Sequence, residues 1–414
     1  MLTIYNILTY IADFHIKLIA VFNTKMRLGV IGRKETFNLL KSELKSELKS
    51  DDKTFWFHCA SLGEYEQGLP VFEEIKKDHP NHKIVISFFS PSGYEVKKNS
   101  PIADLVVYLP LDTKKNAESF IELVHPELVI FVKYEIWPNY MRALNQKNVR
   151  TLLISALFRD DQIHFKWYGK LMRKTLGSFE HIFVQDQDSK DKLESIDIDH
   201  VTVSGDTRFD RVSQQLKIDN SLPGIDAFKQ NKVCIVCGST WPDDEDLLVE
   251  YINSTSKDVI FIIAPHNIKL KQIAELQTRL KKQSILYSEI DDLDVSLYQV
   301  LIIDSIGLLS KIYSYADIAY VGGAIGNTGL HNTLEPAVFG IPIIIGNNHI
   351  KFPEAKELIT TGGMFSIKNS IELNTILNKL IDNEVFRADS GNNGRKFIIE
   401  NGGAVVQIMD YIRK

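Results

Sequence analysis

The sequence predicts an α/β protein of two doubly wound domains, each a parallel sheet covered by helices on both faces. Three observations carry that reading. Short apolar runs separated by helical patterns recur along the front half, at Thr54–Ala60, Lys83–Phe89, Leu105–Leu109, Leu128–Val132, Thr151–Ser155, His181–Gln185 and Val201–Gly205. Such runs mark parallel strands buried on both faces. The pattern lapses over Arg211–Phe228, around Pro223-Gly224, and resumes at Val233–Val236, Val259–Ala264, Gln299–Asp304, Ile318–Val321 and Ile343–Ile345. Finally, 414 residues is the length of two domains. The boundaries that follow are an apolar membrane-associated helix over 1–30, a first domain over 31–215, a linker over 216–230, a second domain over 231–396 and a closing helix over 397–414, read from Phe397–Arg413.

The N-terminal stretch Leu2–Phe22 places Ile4, Ile7, Leu8, Ile11, Phe14, Leu18 and Val21 on one helical face. It lacks the basic start and small-residue end of a cleaved signal peptide. A full span would put Asp13 near mid-bilayer, at about 2.5–3.5 kcal/mol. A helix lying in the interface, with Lys25 and Arg27 at the headgroups, is the cheaper arrangement. The competing reading is a core helix of the first domain. The repeat Lys41-Ser-Glu-Leu-Lys45-Ser-Glu-Leu-Lys49 pairs Lys and Glu at i, i+4 spacing and reads as a solvated helix face. Helical patterns over Ser61–Lys77, Asn116–Val124 and Trp137–Lys147 connect the first strands.

Hydrophobic content of 44% and charged content of 24% are those of an ordinary globular protein. A formal net charge of −5 argues against a general nucleic-acid binder. Three cysteines, Cys59, Cys234 and Cys237, supply no disulfide framework. Cys234 and Cys237 have the CxxC spacing, but within a strand an offset of three sends their side chains to opposite faces, so they read as structural thiols.

The densest signal is Val321–Pro336. A buried strand end runs into four glycines between Gly322 and Gly329, after which Asn332 reads as a helix N-cap with Glu335 three residues on. Pro336 is tolerated in the first turn, and Gly340 closes the short helix. The unit aims backbone N–H groups and a positive helix end at one spot, which suits an anion. Glu335 is either a capping-box carboxylate bonded to Asn332 or an acceptor for a sugar diol; the bareness of the loop favours the diol. Pro265-His266 and Ile306-Gly307-Leu308 also lie just past strand ends. If the strands are neighbours, these loops and Asn332-Thr333-Leu334-Glu335 converge on one pocket. With no P-loop lysine, the site suggests a nucleotide held as a carrier.

In the first domain Glu64 follows Gly63 directly after a strand. It either complements the helix dipole or acts as a general base on a hydroxyl nucleophile; Glu66 is its rival. Glu135, in Lys133-Tyr134-Glu135-Ile136-Trp137-Pro138, is a cap, a supporting partner or an acceptor contact. Arg208 either neutralises a substrate anion or pairs with Asp206 or Asp210. Asp112 and Asp304 stand isolated, and no cluster has metal-ligand spacing, so no metal or other cofactor is expected and electrostatic help falls to Arg, helix ends and backbone donors.

Taken together these motifs resemble the Kdo transferases (3-deoxy-D-manno-octulosonic acid transferases). The resemblance rests on Phe57-His58-Cys59-Ala60-Ser61-Leu62-Gly63-Glu64, Ser90-Pro91-Ser92-Gly93, Leu109-Pro110-Leu111-Asp112, Glu135-Ile136-Trp137-Pro138-Asn139, Gly238-Ser239-Thr240, Ala264-Pro265 and Gly322–Pro336, in order along nearly the whole chain. It implies a GT-B fold, two Rossmann-like domains with parallel sheets facing a cleft. It implies inverting transfer of Kdo from CMP-Kdo to a lipid A precursor, at the cytoplasmic face of the bacterial inner membrane. It puts the catalytic base on Glu64 and the CMP contacts on Pro265, His266, Ile306, Gly307, Leu308, Asn332, Thr333, Leu334 and Glu335. Three positions depart from the family's pattern. His266 stands where Arg is usual, which removes one charge from the CMP contacts; Lys133 stands where an acidic residue is frequent; and Arg208 stands where Lys is common. The other reading of the same fold is a UDP-sugar enzyme, a hexosyltransferase or an epimerase.

Overall fold

The computed structural model describes residues 1–44, 52–290 and 294–414. The chain divides into two compact units, Met1–Arg211 with Gly402–Lys414, and Val212–Asn401.

The sheet of the first unit is built from β1 (Thr54–Cys59), β2 (Lys83–Phe88), β3 (Leu105–Tyr108), β4 (Pro126–Val132), β5 (Arg150–Ala156), β6 (His181–Val184) and β7 (Val201–Val203), in the order β3-β2-β1-β4-β5-β6-β7. Every neighbouring pair is parallel. All six residues of β1 are buried, which is why the strand reads as a continuous apolar run. Its faces serve different cores: Trp56 packs with Val85, Phe131 and Tyr140, whereas Phe55, Phe57 and Cys59 pack with Phe72. The chain leaves β1 to one side through β2 and returns to the other through β4, so the switch point lies between β1 and β4.

The second unit repeats the plan with β8 (Val233–Thr240), β9 (Val259–Pro265), β10 (Ser284–Leu286), β11 (Val300–Ile302), β12 (Ile318–Val321), β13 (Ile343–Gly346) and β14 (Met364–Ile367), in the order β10-β11-β9-β8-β12-β13-β14. The sequence reading missed β10 and β14. Both are edge strands of three or four residues, too short to stand out as an apolar run. Here the switch point lies between β8 and β12.

Two elements depart from expectation. The closing helix is broken: one helix spans Glu384–Asn401, Gly403 turns at φ 99°, and a second helix spans Ala404–Ile412. This last helix belongs to the first unit, where Val405, Ile408, Met409 and Ile412 join the β1 core and Asp210 accepts the Gly403 N–H. The apolar periodicity on either side of Gly402-Gly403 hid the break. The pattern-poor stretch around 216–230 is also not free of structure. A short helix, Ile225–Lys229, follows Gly224, whose φ of 74° marks a left-handed turn that favours glycine.

At the N-terminus, α1 (Leu2–Ile19) and α2 (Thr24–Leu39) pack together, with the Asn23 side chain accepting the Met26 N–H at the start of α2. No residue of α1 is buried, so it is not a core helix. Its polar side faces the protein: the Tyr5 hydroxyl donates to Asp112 (2.7 Å), and Asn139 Nδ2 donates to the Asn6 side chain (2.8 Å). Its apolar side faces outward, with Ile4 62% and Phe14 65% exposed. Among the described residues no helix is long and apolar enough to cross a membrane. The Lys41–Lys49 repeat is described only as far as Leu44, where Lys41, Ser42 and Glu43 are exposed and Leu40 and Leu44 are buried; residues 45–49 lie outside the described residues.

Candidate active site

In the second unit, β8, β9, β11 and β12 lie side by side, and their carboxyl ends bring the three predicted segments together. Pro265 ends β9 and His266 follows it. The His266 ring lies 4.5 Å from the Trp241 ring, nearly parallel to it, and 4.4 Å from the His331 ring. Trp241 Nε1 donates to His331 Nε2 at 3.0 Å. An indole nitrogen can only donate, so His331 Nε2 must be without a proton and the ring neutral. Burial agrees, holding the His331 imidazole down at about 4 and lowering His266 as well. On the next loop, Ser310 donates to Glu335 Oε2 (2.9 Å) while Asn332 Nδ2 donates to Glu335 Oε1 (2.9 Å). Glu335 thus clasps the Leu309–Ile312 helix, which follows the Ile306–Leu308 segment, to the Asn332–Glu335 segment.

Two details of the sequence reading need correction. The cap of the Leu334–Val338 helix is Thr333, not Asn332; the Asn332 side chain still accepts the Leu334 N–H at 3.1 Å. Gly322 and Gly323 of the 322–329 loop are also not bare toward a ligand. A Cβ on Gly322 would meet Ser239 O at 2.4 Å, and one on Gly323, whose φ is 95°, would meet Gly329 O at 2.1 Å. Their smallness serves the fold's own packing. The buried Asp244 carboxylate fixes the loop by accepting from Tyr320 (2.7 Å), Gly323 N–H (2.8 Å) and Trp241 N–H (2.9 Å). Gly307, at φ 89°, is open, since a Cβ there would have nothing within 4 Å, and one on Gly329, at φ 98°, would meet only Phe352 at 3.9 Å.

In the first unit, Glu64 lies in the first turn of α3 (Leu62–Asp78), directly after β1, half-buried, and accepts the Ser61 hydroxyl. Glu66 is engaged elsewhere, with Lys97 at 3.0 Å and Arg211 at 3.3 Å. Glu66 is thus paired with cations, whereas Glu64 is bonded to the Ser61 hydroxyl. Arg208 is held by Asp206, its Nε donating at 2.7 Å. Gln67 Nε2 donates to the same carboxylate and the Thr207 hydroxyl donates to Gln67 O, so the Arg208 segment is tied to α3. Asp210 caps the last helix instead.

Glu135 follows β4, across the switch point from Glu64. Its Oε2 accepts from His58 Nε2 (3.0 Å) and Trp137 Nε1 (2.8 Å). A carboxylate can only accept, so His58 carries a proton on Nε2; its Nδ1 lies 2.8 Å from the Ser87 hydroxyl and 3.1 Å from the Ser87 carbonyl oxygen. Trp56 Nε1 donates to that hydroxyl's oxygen at 2.7 Å. A hydrogen-bonded chain therefore runs Trp56, Ser87, His58, Glu135 beneath the mouth of the sheet, on the Trp56 face of β1. Below the next turn, the buried Asp112 accepts from the N–H groups of Asn139 (3.0 Å) and Tyr140 (2.9 Å) and from the Tyr5 hydroxyl. Asp112 is thus not isolated: it caps the Pro138–Gln146 helix and holds α1. Lys133 sits at φ 69° between β4 and Glu135, and Ser239 at 53° after Gly238; left-handed non-glycine residues at strand ends mark strained turns of the kind that functional sites retain. No group of three or more His, Cys, Asp or Glu side chains that could hold a metal ion occurs among the described residues.

Two parallel seven-stranded sheets, each with its candidate groups at the carboxyl ends flanking the switch point, define a GT-B fold. The likeness extends to solved structures: a putative UDP-N-acetylglucosamine 2-epimerase from Listeria monocytogenes superposes with a TM-score of 0.59 at 12% identity, over 87% of this chain and 96% of that one. Residues 28–211 match the family described as 3-Deoxy-D-manno-octulosonic-acid transferase (kdotransferase). The 3-deoxy-D-manno-octulosonic acid transferase of Aquifex aeolicus is 29% identical over 344 residues, 81% of this chain and 88% of the relative. That of Haemophilus influenzae is 26% identical over 374 residues, 86% of each. The chain is thus similar to the Kdo transferases over most of its length, with the family's domain matched over residues 28–211.

Proposed function

We propose that this chain transfers Kdo from CMP-Kdo to a lipid A precursor, with inversion, at the cytoplasmic face of the inner membrane. The observation that carries the reading is the convergence in the second unit: the ring stack at His266, the open turn at Gly307 and the Glu335 clasp meet at one end of one sheet in a chain similar to the Kdo transferases. The stack offers flat apolar surface to a pyrimidine, Glu335 offers acceptor oxygens to a ribose diol, and the Gly307 turn lets a phosphate approach backbone N–H groups. In the first unit, Glu64 accepts the proton of an acceptor hydroxyl. That oxygen bonds to the anomeric carbon of Kdo as the bond from that carbon to the CMP phosphate breaks on the opposite side. CMP leaves with the electron pair. Arg208 and the backbone donors near Gly307 and Asn332 offset the negative charge of the substrates, and Glu135 contacts substrate from its fixed position. The outward apolar face of α1 lies on the bilayer that carries the acceptor.

Nucleotide preference tests the reading. CMP should raise the melting temperature, UDP should not, and the purified protein should turn over CMP-Kdo with a lipid A precursor. Stabilisation by UDP alone would favour the UDP-sugar reading.

A further inference from the structure

A second candidate binding site lies away from the residues assigned to the reaction. A cavity of about 300 Å³ opens between α1, α2 and the loop after β3. Four cations line it, Lys17, Arg33, Lys34 and Lys115, against one carboxylate, Asp13. Asp13 is already paired with Lys17 at 2.5 Å. Arg33 is the unusual member. Burial lowers its pKa, yet its partners are neutral: Nε donates to Leu109 O (3.1 Å), Nη2 donates to Phe89 O (2.6 Å), and the guanidinium lies 4.4 Å from the centre of the Phe89 ring. Among the described residues no carboxylate lies within 4.0 Å of it. A charge drawn out of water and paired only with carbonyls and a ring is stabilised by an incoming anion.

The rest of the lining says which anion. Ile16, Val30 and Phe37 make the walls apolar, and Tyr10, 55% exposed, joins the cavity to the outward face of α1. A free phosphate has no use for such walls. A lipid does, with its headgroup among the cations, its glycerol against the walls and its acyl chains beside Ile11 and Phe14. Tyrosine is the residue that suits such a boundary.

We propose that this cavity binds the phosphate-bearing headgroup of an anionic membrane phospholipid, seating α1 in a defined pose on the bilayer. The site rests on the reading that α1 faces the membrane.

Full-length protein is titrated with phosphatidylcholine vesicles, with and without phosphatidylglycerol, and with soluble dihexanoyl-phosphatidylglycerol. Wild type should prefer the anionic vesicles and bind the short-chain lipid saturably. Arg33→Gln should cut the anionic preference about fivefold, and the exposed pair Lys34→Glu/Lys115→Glu by more than tenfold, at roughly fivefold per charge. The pair keeps the test sound if Arg33→Gln fails to fold. Lys25→Glu/Arg27→Glu alters charges outside the cavity and should cost less than the Lys34/Lys115 pair; an equal loss would mean diffuse attraction and overturn the site. Displacement of the short-chain lipid by an equal concentration of inorganic phosphate would overturn the lipid assignment. Phe14→Asp/Leu18→Asp should abolish binding to both vesicle types but leave short-chain lipid binding intact. Failure of wild type to bind any vesicle would refute the membrane reading alone, because the short-chain lipid reports on the cavity directly.

Discussion

His58 is the most exposed point of the account to a single substitution, although its side chain is wholly buried. It joins the Ser87 hydroxyl to the Glu135 carboxylate. His58→Phe keeps the ring volume and removes both bonds. The lost bond to a charged acceptor is worth about 1.5–3 kcal/mol, and the Ser87 hydroxyl left without its ring partner costs about 1–3 kcal/mol, so the variant should lose on the order of 3–5 kcal/mol. Each kcal/mol moves the melting temperature of a domain this size by about 2–4 °C. His58→Gln can still reach one of the two partners and should lose less. Chemical denaturation reads the stability, and steady-state transfer reads the consequence for Glu135, which keeps only its bond from Trp137. Glu135 contacts substrate in this account, so turnover should fall in His58→Phe even where the protein is fully folded. A His58→Phe protein within 0.5 kcal/mol of wild type and with unchanged turnover would refute the chain as drawn.

Three further outcomes follow from the geometry. Glu335→Ala removes the clasp and the diol acceptor together, so CMP affinity measured by calorimetry should fall by about 10- to 100-fold; unchanged affinity would leave Glu335 a helix cap. The neutral His331 makes the second unit acid-sensitive: the unfolded chain takes up this proton near pH 6.5 and the folded chain only near 4, so the contribution is full above 6.5 and is lost as pH falls toward 4. Titration of its Cε1–H resonance checks the value, and His331→Asn should flatten that part of the stability curve. Tyr5→Phe withdraws one donor from buried Asp112, which should speed amide exchange in α1 while the Asn139 and Tyr140 amides, still bonded to Asp112, hold the Pro138–Gln146 helix.

The central strands were legible in the sequence because burial on both faces leaves no polar alternation to confuse them; β1 is the clearest case. Edge strands β10 and β14 were not, because a short strand needs few apolar residues. The helix break at Gly403 was hidden by apolar periodicity on both sides of it. At the site, position along the chain was legible and partnership was not. Strand ends located His266, Gly307 and Glu335, but the stacking of His266 on Trp241 and His331 depends on side-chain directions that spacing does not carry. The Gly322 loop shows the opposite failure: a glycine needed for backbone packing and one needed for a ligand look alike until the neighbours are known. His58 sits in a recognisable motif, yet its task is set by Ser87 and Glu135, which only the β1–β2 register and the turn after β4 bring within reach.

The most direct test of the whole account is transfer from CMP-Kdo to a lipid A precursor by Glu64→Gln, with CMP affinity measured on the same preparation. The account predicts unchanged CMP binding and a turnover reduced by about 10²- to 10⁴-fold. Turnover near that of wild type would show that another group takes the proton.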